Sequence, residues 1–546
     1  VKFDKETFVF IAVCVVILIV GKPVARQFGL IPKDAERDDS VAVWTAEHPQ
    51  PEPFRILRND RMILTFVPET GKIDRIAFPQ YLDSTRKYRI DLYQGLTGVG
   101  AFSVFDASSP WTLVKVESEK LDDAKGYTLT RRLRNASGGE FLLTQAWTLE
   151  SDYRVSCAVT FRNATAIPLV FSQLVVNGGD LAPWAMYSGD MVRIPSHRMD
   201  ALTVAGKYLD KKAGTEKDDG SAFYVVPPPQ VEWAGVGNKF FCSLLKAEKP
   251  FTLYQNRFLY CGLKEKNVVA EVGAQYPNFL LGPNGEATFE FQAYYGPKII
   301  SYLNGFDPGA ARVMHLAWGP LDYLARGLLW VLVALHGLIG SYGVAIIVLT
   351  LVVRGLFYPI TAKANASMRK MQTIQPKMKE IREKYKDNPQ IQMSKMQELQ
   401  RTEGVNPLGG CLPILLQIPV FFALYATLDG AVELRQVSFL WAKDLAAADT
   451  VMTIPLYFLN LPINPLALIM TGLLVVQQHM TPMSVDPMHK KMMLAMPIIM
   501  LLFLYDLPSG LTLYWSVSNL FSIIQMRLQR RHYNDQGTKP AGASGK

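Results

Sequence analysis

The stretch Gly340-Ser341-Tyr342-Gly343-Val344-Ala345-Ile346-Ile347-Val348-Leu349-Thr350-Leu351-Val352-Val353-Arg354-Gly355-Leu356-Phe357-Tyr358-Pro359 sets the class to which the whole chain belongs. It reads as the second half of a membrane-spanning helix that carries one fixed positive charge, Arg354. No carboxylate lies three or four positions away, so nothing on the same helical face neutralises it. An arginine at mid-span costs about 2.5–3.5 kcal/mol on insertion scales, which makes such a charge a candidate functional group. The alternative is snorkelling, because Arg354 lies about one turn before the Tyr358-Pro359 exit. The flanking sequence has to choose between the two.

Upstream, the apolar run from Leu328 to Tyr358 exceeds the roughly 20 residues a bilayer needs. Asp307-Pro308 reads as a helix start, with Asp as cap and Pro at the first position. Val313, Leu316, Ala317, Leu321, Leu324 and Leu328 then form one stripe. This predicts an amphipathic surface helix, kinked at Gly319-Pro320, that turns into the membrane around Trp330 to Gly337.

Downstream, the character reverses beyond Pro359. Residues Thr361 to Asn406 hold ten Lys/Arg against five Asp/Glu. Met368, Met371, Ile374, Met378, Ile381 and Tyr385 make a helical stripe, Asn388-Pro389 breaks it, and Ile391, Met396 and Leu399 make a second. A short basic helical hairpin of this kind stays in the cytoplasm. Further apolar segments follow at Leu408 to Leu428, Ile463 to Val476, Met492 to Leu507 and Leu511 to Ile524. The last two are joined by Pro508-Ser509-Gly510, which predicts a tight turn. Lys490 and Lys491 precede that pair and Arg527, Arg530 and Arg531 follow it, so both of its ends face the cytoplasm. Near the start, Thr7 to Gly21 is apolar between Lys2, Lys5 and Lys22, Arg26. It lacks a small-x-small cleavage pattern and is expected to be an uncleaved anchor.

The middle of the chain differs. From Phe54 to about Lys298 apolar and polar residues alternate, as in Tyr153, Val155, Cys157, Val159 and Phe161, and in Tyr127, Leu129, Arg131 and Leu133. Turns are expected at Asn59-Asp60 and Ser137-Gly138-Gly139. Period-two runs over some 240 positions predict a large antiparallel β-sandwich. Asn135-Ala136-Ser137 and Asn163-Ala164-Thr165 match a glycosylation acceptor, a short pattern frequent by chance.

The fold class is therefore multi-domain: an α-helical membrane bundle, made of an N-terminal anchor plus a five-helix core, with a large antiparallel β-sandwich outside the membrane. The expected divisions are an anchor at 1–28, a linker at 29–53, the sandwich at 54–300, a surface helix and second span at 301–360, a cytoplasmic hairpin at 361–407, spans three to six at 408–530, and a cytoplasmic tail at 531–546. The net charge of +9 sits beside apolar runs, a pattern that suits anionic lipid headgroups rather than nucleic acid. The five cysteines are scattered without CxxC spacing, so no zinc site is indicated, and a Cys242–Cys261 bridge stays open.

Polar residues at membrane depth accompany Arg354. Thr350 lies one turn before it, Gln417 lies inside its own apolar segment, and positions 515, 518, 519, 522 and 525 share a face. An arginine beside polar faces on several helices points to a wet cavity in which the charge is retained. Such a cavity attracts anions: a reversibly held acidic stretch of polypeptide, or an anionic solute. An anion transporter using the intramembrane arginine is the alternative, but internal repeats and coupling charges are not evident. A third reading makes the sandwich a binder of an envelope glycan. No P-loop, HExxH or GxSxG occurs, so no enzyme class, cofactor or metal is expected.

Val353-Arg354-Gly355, Asn406-Pro407-Leu408-Gly409-Gly410-Cys411-Leu412-Pro413, Val432-Glu433-Leu434-Arg435-Gln436, Asp486-Pro487-Met488, and Pro508-Ser509-Gly510-Leu511 with Val517-Ser518-Asn519-Leu520 closely resemble the YidC/Oxa/Alb family of membrane protein insertases. These motifs occur in order over residues 300 to 530. The anchor and sandwich resemble the Gram-negative form, in which the sandwich is periplasmic and both termini are cytoplasmic at the inner membrane. The resemblance implies a hydrophilic groove that binds clients through Arg354, Thr350, Gln417, Trp515, Ser518 and Asn519, with an apolar slide at Ile418, Pro419 and Phe421. Trp515 falls where the family commonly has a tyrosine. Implied partners are nascent membrane proteins, the Sec translocon, the ribosome and anionic phospholipids, with no direct nucleic-acid contact.

Overall fold

The computed structural model describes residues 55–537, apart from 83–88, 94–98, 123–125, 182–199, 205–206, 209–230, 261–266, 315, 318, 405–411, 457–458 and 481–486. The expected anchor, linker and extreme tail, and Cys14, Cys261 and Cys411, lie outside the described residues. The chain forms two compact units, Asp34–His315 and a second made of Val1–Lys33 with Leu316–Lys546.

The first unit is built from antiparallel strands. A four-stranded sheet runs β1 (Arg55–Arg58), β2 (Ile63–Val67), β3 (Lys72–Leu82) and β4 (Arg89–Tyr93). The strands that follow in the chain are β5 (Val104–Asp106), β6 (Thr112–Asp122), β7 (Gly126–Arg134), β8 (Glu140–Leu149), β9 (Arg154–Asn163), β10 (Leu169–Leu181), β11 (Asp200–Val204), β12 (Lys207–Tyr208), β13 (Val231–Gly237), β14 (Phe241–Tyr260), β15 (Asn267–Leu281) and β16 (Glu286–Pro297). They form a second sheet in the order β12-β11-β13-β14-β16-β9-β8-β7-β6, with β10 and β5 reached through β15. The long β14 joins the layers: Phe241 to Ala247 pairs with β16, and Thr252 to Tyr260 pairs with β15.

The alternation read from the sequence sets which faces meet. Tyr153, Val155, Cys157, Val159 and Phe161 are all buried. Phe141 and Phe161 meet Phe171 of β10, which stacks on Phe279 of β15 at 5.7 Å. Phe66 brings the small sheet onto Trp147 and Tyr127, each at 5.0 Å. Fully burying such aromatic side chains contributes about 1.5–3 kcal/mol each, enough for an extensive core. Asn59 and Gly138 take the expected turns, Gly138 at φ +86. The two acceptor-like asparagines are turn devices. Asn135 accepts from the Gly139 amide, and Asn163 is buried and donates to the Ile167 and Gly282 carbonyls. Cys157 and Cys242 are free and buried.

The unit ends with α1 (Ile300–Phe306) and a short 3-10 turn at Ala310–Val313. Asp307 does not start a helix, which corrects the expectation. It is extended (φ −158, ψ 136), ends α1, and its carboxylate accepts from the Gly309 amide and Lys246 Nζ.

The second unit is helical. Its elements are α2 (Pro320–Ile339), α3 (Tyr342–Thr373), α4 (Gln375–Lys384), α5 (Pro389–Thr402), α6 (Leu412–Gly430), α7 (Pro465–Met480), α8 (Pro487–Leu504) and α9 (Ser509–Gly537), with a hairpin of β17 (Met452–Leu456) and β18 (Leu459–Ile463) before α7. Three sequence expectations change here. The amphipathic helix is not one kinked helix from Asp307, because α2 begins afresh at Pro320 after Gly319 at φ +56. The run from Leu328 to Tyr358 is not one span. Gly340 takes the left-handed conformation that ends α2 (φ 78), and Gly340-Ser341 separates two helices, so the stretch from Tyr342 starts a helix rather than completing one. Finally, α3 passes through Pro359 to Thr373, where the Thr361 hydroxyl donates back to the Phe357 and Tyr358 carbonyls. By length and composition, α2 and residues Tyr342–Ala364 can each cross a membrane.

The hairpin of α4 and α5 is present, with Asn388 capping α5 through the Ile391 amide. The Met-rich stripe is divided between α3 and α4. Met378, Ile381 and Tyr385 are half-buried, whereas Ile391 is exposed. The turn between α8 and α9 is tight, and the Ser509 and Gly510 amides donate to the Ala447 and Leu445 carbonyls. Ala467 of α7 packs on Leu501 and Tyr505 at the α8 end.

Candidate functional site

Three helices assemble a polar cluster in the helical unit. From α3 comes Arg354, half-buried, whose Nε donates to Ser518 Oγ of α9 at 2.7 Å, with Nη2 aimed at the same oxygen. From α6 comes Gln417, whose amide donates to the Tyr514 hydroxyl of α9 at 2.6 Å. One turn separates Tyr514 from Ser518, so the two contacts stack along α9. Farther along, Gln525 donates to Thr361 Oγ1 of α3 at 3.2 Å. Among the described residues Arg354 forms no ion pair. A hydroxyl neutralises no charge, so the guanidinium keeps its full positive charge and has donors to spare.

The residues expected from the sequence take different places around this cluster. Ser518 holds Arg354. Asn519 is buried, and its Nδ2 has no partner among the described residues. Thr350 is fully buried, and its hydroxyl donates to the Ile346 carbonyl of its own helix. Trp515 is half-buried with its ring 4.7 Å from Phe421 of α6. Ile418 and Pro419 are exposed beside Gln417, and Phe422 extends that apolar surface. Sequence reading misses Tyr514. Its only signal is a position four residues before Ser518, which puts both on one face of α9.

A polar concavity of about 510 Å³ lies in the strand-rich unit, on the outer face of β8, β9, β14 and β16, among Thr148, Ser156, Lys246, Glu290 and Gln292. Several of its polar groups bond to residues at its edge. Glu150 accepts from Ser156 and Gln292, and Lys246 pairs with Asp307 at 2.8 Å. Among the described residues no group of three His, Cys, Asp or Glu side chains is placed to hold a metal ion.

Comparison with known proteins follows the same division of the chain. Residues 57–331 match the family model of the YidC periplasmic domain, and residues 334–536 match that of the 60Kd inner membrane protein. The chain is 34% identical over 407 residues to the membrane protein insertase YidC of Pelobacter propionicus, covering 73% of this chain and 71% of that one. It is 31% identical over 459 residues to that of Vibrio cholerae, covering 82% and 78%. With that of Geobacter sulfurreducens the identity is 38% over 295 residues, about half of each chain (54% and 52%). Two family models in tandem, and relatives matched through both the strand-rich and the helical unit, place this chain in the YidC family of membrane protein insertases.

Proposed function

We propose that this protein inserts membrane-protein clients through the Arg354 cluster, with the sandwich in the periplasm and both termini in the cytoplasm. The observation that carries the reading is Arg354 itself: a guanidinium held by the neutral Ser518 between α3 and α9, with no carboxylate paired to it among the described residues. An acidic residue on a client's translocated segment supplies the missing counter-charge. At 4 Å and an effective dielectric of about 20 that attraction is worth roughly 4 kcal/mol before desolvation, strong enough to capture and weak enough to release. The unpaired amide of Asn519 and the Gln417–Tyr514 pair add hydrogen-bonding groups to the same wall. Exposed Ile418, Pro419 and Phe422, with Phe421 packed on Trp515, offer an apolar surface along which a client helix passes into lipid.

The surface helix α2 lies at the outer interface, and α4, α5 and the basic tail contact ribosome, anionic lipid and the Sec translocon. Photocrosslinkers at Gln417, Ile418 and Trp515 are expected to capture stalled nascent membrane proteins. Loss of adducts at all three sites would remove the support for client passage here. Arg354→Ala is expected to lower insertion of clients with acidic translocated segments at least about fivefold, the loss of roughly 1 kcal/mol of attraction, whereas Arg354→Lys retains most of it. Equal insertion by Ala and wild type for every client would rule out the electrostatic role. Arginine-dependent uptake of an anionic solute into liposomes would favour a transporter instead.

A further inference from the structure

The hairpin β17–β18 lies outside the client-binding cluster, and its composition is unusual. From Val451 to Ile463 the chain reads Val-Met-Thr-Ile-Pro-Leu-Tyr-Phe-Leu-Asn-Leu-Pro-Ile, without a single charge. In the structure Met452 (58% exposed) and Ile454 (38%) project from one face of β17, and Val451 (47%), immediately before the strand, is exposed as well. A two-stranded hairpin in water is marginal, and water-facing edge strands are usually blunted with lysine. This hairpin instead carries no charge and exposes Met452 and Ile454.

Its base is nonetheless firmly held. The Val451 amide donates to the Ile463 carbonyl at 3.0 Å, and Thr450 Oγ1 to Asn464 Oδ1 at 2.6 Å. Asn464 Nδ2 donates to the Tyr505 carbonyl at 2.8 Å, and the Tyr505 hydroxyl to the Pro462 carbonyl. Pro465 then opens α7 two residues after β18 ends, and α7 exposes Leu468 and Ile469. The hairpin thus leads directly into a helix that also exposes apolar side chains.

We propose that the β17–β18 hairpin is embedded in the interfacial layer of the outer leaflet, the side given by the topology proposed above, with lipid against its exposed apolar side chains. Hydrocarbon proper does not tolerate the unpaired backbone groups of a hairpin edge, which sets the depth at the headgroup and upper acyl boundary. Pro455 and Pro462 lower the number of such groups by removing two N–H donors. The two residues linking the strands in sequence, Tyr457 and Phe458, are of a type suited to that boundary. An embedded hairpin would fix the height of α7 and of the α8–α9 turn relative to the membrane.

The test places a nitroxide at Val451→Cys, Met452→Cys and Ile454→Cys, one at a time, in the full chain with its other reactive cysteines replaced. The protein is reconstituted in phosphatidylethanolamine/phosphatidylglycerol liposomes. Collision with oxygen, which concentrates in lipid, is compared with collision with a water-soluble nickel chelate. Leu356→Cys on α3 reports the span itself, and Lys395→Cys on α5 reports water. All three hairpin sites are expected to favour oxygen over nickel severalfold, as Leu356→Cys does. Nickel accessibility like that of Lys395→Cys would put the hairpin in water and overturn the proposal. Low accessibility to both reagents would mean that protein covers it, whether a client, a second copy or another part of this chain, and would overturn it equally.

Discussion

At the scale of single residues, the two units treat buried charge differently. Arg131 of β7 is 3% exposed, yet it is structural. Its guanidinium donates to Gln145 Oε1 at 2.6 Å and to the Thr70 and Glu69 carbonyls, joining the β2–β3 turn to the large sheet. Gly71 sits against this contact at φ +63, and a Cβ there would collide with Gln145 Oε1 and the Arg131 guanidinium. Arg131→Leu leaves the buried Gln145 Oε1 without this partner. It is expected to destabilise the strand-rich unit by about 1–3 kcal/mol, read as a lower midpoint in urea unfolding. Arg354 keeps donors free and is expected to affect insertion rather than folding. Glu433, in the loop after α6, offers a test by pH. Its Oε2 is buried without a partner among the described residues, and burial pushes the carboxyl up to about 7. The folded state therefore holds this proton more tightly than the unfolded chain, whose carboxyl titrates near about 4.3. The stabilisation is complete below about pH 4 and is lost as pH rises to about 7. The thermal midpoint of the helical unit is expected to fall between about pH 5 and about pH 7.5, and Glu433→Gln to flatten that slope. An unchanged slope in the variant would exclude Glu433 as its source.

At the scale of elements, the decisive events are where helices stop. Gly340 ends α2 in the left-handed conformation, which glycine adopts without a Cβ penalty. His336 and Tyr342 stack at 3.7 Å across the break and help fix the angle between α2 and α3. Gly343, one residue into α3, is needed for a different reason: the Phe439 ring occupies the place that a Cβ would take. Gly343→Ala is expected to displace Phe439 and loosen the loop before β17. The cost is about 1–3 kcal/mol, seen as a thermal midpoint a few degrees lower and faster protease cleavage in the segment from Arg435 to Asp449. Wild-type protease resistance in the variant would show that the ring moves aside freely. The break at Gly340 is not announced by hydropathy, which runs unchanged from Leu328 to Tyr358. The continuation of α3 through Pro359 is equally invisible in the sequence, since a proline read alone signals an exit.

At the scale of the whole molecule, each unit has its own core, Phe141, Phe161 and Phe171 in one and Ala467, Leu501 and Tyr505 in the other. Removing residues 60 to 290 is therefore expected to leave the helical unit folded and partly active, measured as client insertion at matched protein levels. Complete loss of insertion with the helical protein present at wild-type amounts would make the sandwich part of the machinery. Reading along the chain is enough to divide it into strand-rich and helical units, and to find the inward sets of β7 and β9, the α4–α5 hairpin, the tight α8–α9 turn and the polar face of α9. These follow from periodicity and turn chemistry, which act within a few residues. Contacts made in three dimensions settle the rest: Ser518 is the partner of Arg354, Tyr514 answers Gln417, Thr350 turns to its own backbone, and Asp307 ends a helix instead of starting one. The first two outcomes depend on groups far apart in the chain, 164 residues for Arg354 and Ser518 and 97 for Gln417 and Tyr514, meeting at hydrogen-bond distance. No local pattern encodes which distant face a helix will meet.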